Sequence, residues 1–163
     1  MTDWPWLFND ETLAEVVNRR LAEAEVLKAD GSDALIARLS LDVPVYTHTS
    51  EVKRWITEPF VDRFDDEVPG GNLGIQTAFH FRGDATLLTV KSDTLAPVNK
   101  FMGEVVGNTV QLGHMRGDND EAKLIEQIAD RAYEFARILD HLRADAIPHN
   151  AELARLIREI CAT

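Results

Sequence analysis

The chain has 163 residues, 45% of them hydrophobic and 28% charged, which suits a single globular domain over 1–163 and excludes a disordered chain. A formal net charge of −11 repels phosphate backbones, so no direct nucleic-acid binding is expected; it suits a soluble protein, a partner of basic surfaces or an acidic mimic of nucleic acid. The single cysteine, Cys161, excludes an internal disulfide and thiolate metal clusters, and no apolar stretch reaches the roughly 20 residues of a membrane helix.

The N-terminal stretch has no basic region and only a short apolar run, so no signal peptide and a cytoplasmic, bacterial-type location are expected. Trp4-Pro5-Trp6-Leu7-Phe8 is an aromatic lead-in, in which Phe8 could staple a following helix. Asn9 or Asp10 can cap that helix, and Leu13, Val16, Val17, Leu21, Ala24 and Leu27 give it an apolar stripe ending near Asp30-Gly31. Leu35, Ala37, Leu39, Leu41, Val43 and Val45 then alternate strictly, which predicts a strand ending at an edge or bulge near Pro44.

Thr47–Asp66 fits either a helix or an irregular strand, and Asp62–Asn72 reads as a loop. Its adjacent carboxylates Asp65, Asp66 and Glu67 could bind a cation, though such runs are usually solvated. Leu73, Ile75, Thr77, Phe79 and Phe81 alternate toward Arg82-Gly83-Asp84-Ala85, which predicts a β-hairpin returning through Thr86–Lys91. Phe79 and Phe81 belong on one face and His80 on the other. Glu104–Val106, Gly107-Asn108 and Thr109–Leu112 read as a second hairpin with a two-residue turn. Asp118-Asn119-Asp120-Glu121 opens a long helix with an apolar stripe from Ile125 to Leu142, and Pro148-His149-Asn150 predicts a break before a last helix capped by Asn150. The fold class is therefore α+β: an N-terminal helix, a central antiparallel sheet of about five strands and a C-terminal helical hairpin.

No nucleophile elbow, P-loop, dinucleotide fingerprint or His-Glu-x-x-His motif is present. The five histidines are scattered without the i, i+4 spacing that favours shared ligation, so neither a metal nor another cofactor is expected. Arg-Gly-Asp occurs at Arg82–Asp84 and Arg116–Asp118 as turn chemistry, and Cys161 reads as core.

The order FHFRGDATLL, second hairpin, acid-capped helix and HNAELARLIREI, covering the C-terminal half, resembles a group of uncharacterised bacterial proteins encoded near nucleases of defence systems. That resemblance implies a defence-associated complex and supplies no catalytic residue. The favoured function is a non-enzymatic protein-interaction module or complex subunit. Leu124, Tyr133 and Ile138 lie off the main helical stripe, so they and the aromatics Trp4 and Trp6 are candidates for contact with a protein partner or a second copy. The alternative is a small-molecule-binding protein or minor enzyme, with His80, Asp84 and His114 around a pocket between sheet and helices.

Overall fold

The computed structural model describes residues 6–95, 101–116 and 118–163. Trp4, a contact candidate, lies outside these residues. The main elements are helices α1 (Leu13–Leu27), α2 (Ser32–Leu39) and α3 (Glu121–Ala162), and strands β1 (Val45–Thr49), β2 (Lys53–Ile56), β3 (Leu73–Arg82), β4 (Glu104–Val106) and β5 (Thr109–Met115). The fold class is α+β with an N-terminal helix and an antiparallel five-stranded sheet. Two compact units share the chain: Tyr46–Arg82 with Met102–Arg137 in the first, and Trp6–Val45, Gly83–Phe101 and Ile138–Thr163 in the second. Among the described residues no helix is long and apolar enough to cross a membrane.

In the first unit the sheet runs β4-β5-β3-β1, with β2 also paired to β3. The alternation in β3 does what it predicts. Ile75, Thr77, Phe79 and Phe81 are buried, whereas Gln76, Ala78 and His80 between them are only partly covered. Register carries that inner face onto β5, where Val110 opposes Phe79 and Leu112 opposes Thr77. The β4–β5 hairpin closes through Gly107-Asn108 as expected, with Val106 opposite Thr109. Phe135 of α3 lies 5.6 Å from the Phe79 ring, and Tyr46 stands edge-on to both rings at 6.0 and 6.1 Å. These three rings pack against one another between the sheet and α3.

The hairpin predicted around Gly83 does not form. Ala85–Thr89 is a 3₁₀ turn, and only Val90–Lys91 is extended, pairing in parallel with Glu11–Thr12. Arg82 and Gly83 instead mark the change from the first unit to the second. Gly83 does have φ +125°, but the neighbour it meets is Pro44, whose Cα would lie 2.7 Å from an added β-carbon.

In the second unit the expected strand from Leu35 is overturned. Leu35 and Leu39 stand four apart and are buried on one side of α2, which begins just after Gly31. Spacing of two and spacing of four coincide at these positions, so the alternation could not separate the periods. Beyond Ser40 the chain extends, burying Leu41 and Val43, and ladder pairing starts only at Val45. The Arg20 guanidinium donates to the Leu39 and Ser40 carbonyls (both 3.1 Å), satisfying acceptors at the end of α2.

Thr12 rather than Asn9 or Asp10 caps α1, accepting from the Glu15 N–H at 3.2 Å. The Asp10 N–H is already committed to the Thr89 carbonyl, which holds the preceding chain extended. Phe8 is buried with its ring edge-on to Phe101. The C-terminal helical hairpin is likewise corrected: α3 is one helix of 42 residues, with Pro148 inside it. Asn150 is therefore no cap. Its amide accepts from the Leu41 N–H at 2.7 Å and donates to the Leu41 carbonyl at 3.1 Å. Asp120 caps the true start, accepting from the Lys123 N–H at 3.2 Å.

Candidate functional site

The outer face of the first unit's sheet can be assembled row by row from the register. Trp55 on β2 and Met115 on β5 both oppose Gly74 on β3. Gly74 is needed there, because a β-carbon would fall within the Trp55 indole. Trp55 therefore lies flat across the central strand, and it and Met115 each remain 37% exposed. The next rows carry Lys53, Gln76 and Gly113, then Ala78, Gln111 and Glu104, then His80, Thr109 and Val106. Ser50, Lys53, Gln76, Ala78 and Gln111 line a shallow depression of about 130 Å³ along these rows.

His80 closes one end of this face. Its ring stacks on His48 at 4.2 Å with 9° between planes, and its Nε2 lies 2.5 Å from the Ser50 hydroxyl. The Thr47 hydroxyl lies 3.0 Å from His48 Nδ1 and 3.2 Å from the His80 carbonyl, tying the two histidine positions together.

The three ligand candidates are not brought together. His114 opposes Ile75 and so lies on the inner face, opposite to His80. Burial, followed by the nearby Arg131 charge, holds its imidazole below the ordinary histidine range, and its buried Nε2 has no hydrogen-bond partner among the described residues. Asp84 belongs to the second unit. It accepts from Arg20 at 2.8 Å and from the hydroxyl and N–H of Thr86 at 2.7 and 3.0 Å. Burial pushes its carboxyl up, but those donors together bring it below the usual carboxylate range. Asp84 thus has a structural ion pair.

The contact candidates also separate. Leu124 and Ile138 are 0% and 1% exposed; they serve the chain's own core and offer no surface, which corrects their assignment. Leu124 and Ile138 share one helical face with the buried Ile128, Phe135 and Leu142, whereas Ile125, the expected start of the stripe, is 46% exposed: the stripe is real but its phase differs from the expected one. Tyr133 is 74% exposed and Trp6 42%. Cys161 is half-buried, not core. Among the described residues no group of three or more histidine, cysteine, aspartate or glutamate side chains could hold a metal ion.

Sequence reasoning missed the β2–β3 arm. Its pairing continues past Ile56 and Leu73 through Thr57, whose N–H donates to the Asn72 carbonyl and whose carbonyl accepts from Gly71, at 2.9 and 2.8 Å. Phe60–Val61 then pairs with Glu67–Val68 around a turn at 62–66. Along this stretch Ile56, Val61 and Phe64 are 60–69% exposed. Asn119, just before α3, braces the arm's base by accepting from the Leu73 N–H at 2.7 Å. Two signals were available: an isolated glycine inside a strand pattern at Gly74, and the strand alternative for Thr47–Asp66, which holds Trp55 and is the one that forms. No protein-family model matches the chain, and neither curated proteins nor solved structures give a match.

Proposed function

We propose that this chain is a protein-interaction module, a non-enzymatic subunit of a larger complex, and that its contact surface is the outer sheet face with the β2–β3 arm. The carrying observation is the concentration of large exposed apolar side chains in one stretch: Trp55, Ile56, Val61 and Phe64, with Met115 in the Trp55 row. Trp55 and Met115 share the outer face at the Gly74 row, while Ile56 faces the other side and Val61 and Phe64 lie farther along the arm; exposed apolar side chains gathered in this way mark contact sites. Covering what Trp55, Ile56, Val61 and Phe64 leave exposed contributes on the order of 3–7 kcal/mol before the costs of association. The rigid setting of Trp55 over Gly74 keeps the ordering cost low. A bacterial defence complex is the context that the sequence resemblance implies.

The test is purification from the native host as wild type and as Trp55→Asp, with the variant's fold checked by circular dichroism. A stoichiometric polypeptide retained by the wild type and lost from the folded variant supports the reading. Identical, partner-free elution of both proteins refutes it.

A further inference from the structure

We infer that the tip of the β2–β3 arm is the plug of this interface, and that the partner receives it in an apolar socket rimmed by lysine and arginine. This rests on the reading of the chain as an interaction module. Phe64 sits at the tip, 69% exposed, with the Arg63 guanidinium 4.8 Å from its ring centroid. The turn that presents it is held by one side chain. Asp62 Oδ1 accepts from the Phe64 N–H at 2.8 Å and the Asp66 N–H at 3.0 Å, while backbone bonds join Asp62 to Asp65 and Asp66. The aromatic side chain is thus offered from a preset turn, which lowers the ordering cost of binding.

Charge selects the occupant. Between Thr57 and Val68 the arm carries five carboxylates, on Glu58, Asp62, Asp65, Asp66 and Glu67, against the single cation Arg63. A second copy of the arm would bring the same carboxylates together, and like charges juxtaposed across an interface are costly. An acidic partner or a phosphate backbone is disfavoured for the same reason. A polypeptide surface with an apolar pocket and basic rim satisfies both the ring and the carboxylates, and arginine there could pair with Asp65 or Asp66 in two-pronged fashion. Beyond Ile56 and Leu73 the arm reaches roughly 15 Å, at 3.3 Å per residue, so it can enter a recess that the flat sheet cannot.

The test places a photo-crosslinking amino acid at position 64, and separately at position 55, in the chain expressed in its native host. The expected result is an adduct from position 64 whose crosslinked segment is apolar with flanking lysine or arginine. Its yield should fall about ten-fold between 50 and 300 mM salt in lysate, and also in the double variant Asp65→Asn, Asp66→Asn. An adduct from position 55 alone overturns the plug while leaving the interaction module standing. No adduct from either position overturns both. An adduct from position 64 to an acidic segment, to nucleic acid or to a second copy of this chain also overturns the basic socket, as does a yield indifferent to salt and to the double variant.

Discussion

Asn150→Leu removes the amide that serves Leu41 while keeping the side chain's heavy-atom count and branching. Leu41 lies in the extended stretch between α2 and β1, outside any ladder, with its side chain 4% exposed. Its N–H and carbonyl take partners at 2.7 and 3.1 Å from one amide of α3. Leaving a buried donor or acceptor unpaired costs about 1–3 kcal/mol. Two such groups, partly reached by water because Asn150 is itself half-buried, put the loss at about 2–4 kcal/mol. For a domain of this size each kcal/mol lowers the melting temperature by about 2–4 °C, so a drop of about 5–15 °C is expected by calorimetry. Amide hydrogen exchange at Leu41 should accelerate with it. Asn150→Asp should also destabilise at neutral pH, because a carboxylate oxygen would face the Leu41 carbonyl with no proton to donate. A melting temperature within 2 °C of wild type, with unchanged exchange at Leu41, would refute the bridge as a stabilising element.

Gly83→Val should destabilise by at least about 2 kcal/mol in urea titrations: φ is +125°, and the new β-carbon would press on Pro44 Cα at 2.7 Å. A variant as stable as wild type would mean that the backbone relaxes there without cost. His114 has its folded-state pKa depressed, so the unfolded chain binds the proton first; stability should fall as pH drops below about 6.5, and His114→Phe should remove that dependence from melting curves. Asp145 is buried at 7% exposure and accepts from the Ser92 hydroxyl, the Asp93 N–H and the Thr94 hydroxyl. Burial raises its carboxyl, but these donors outweigh it and leave the group below the usual range. Its contribution is therefore present above about pH 4 and lost as pH falls further. Asp145→Asn should flatten the acid limb of a denaturation profile, and an unchanged limb would count against the assignment.

Some of this fold was legible because neighbouring residues alone determine it. In β3 the alternating set Ile75, Thr77, Phe79 and Phe81 is made of β-branched and aromatic residues, which favour a strand where the leucines and alanine from Leu35 do not, and Gly107-Asn108 supplies the backbone freedom of a two-residue turn between paired strands. The stripe of α1 and the acids before α3 similarly mark helices through local periodicity and macrodipole. Sequence counted five strands, but of the expected members Thr86–Lys91 is not in the sheet and Leu35–Val45 reaches it only at Val45; β1 and β2 take their places. For the candidate site, the separation of His80 from Phe79 and Phe81 was readable. Trp55 over Gly74 was not, because strand pairing between residues 19 apart sets it. The tertiary structure decided every case in which local signals were degenerate or costly. Leu35 and Leu39 satisfy both a helix and a strand, and burial on one side of α2 chose the helix. Pro148 costs a helix interior about 3 kcal/mol, yet α3 continues through it with Leu142, Ala146, Leu153 and Ile157 buried on both sides of the proline and Asn150 held by Leu41. Hydrophobic burial and satisfied backbone groups, gathered from residues more than a hundred positions apart, outweigh that local penalty, and no window of the sequence contains both terms.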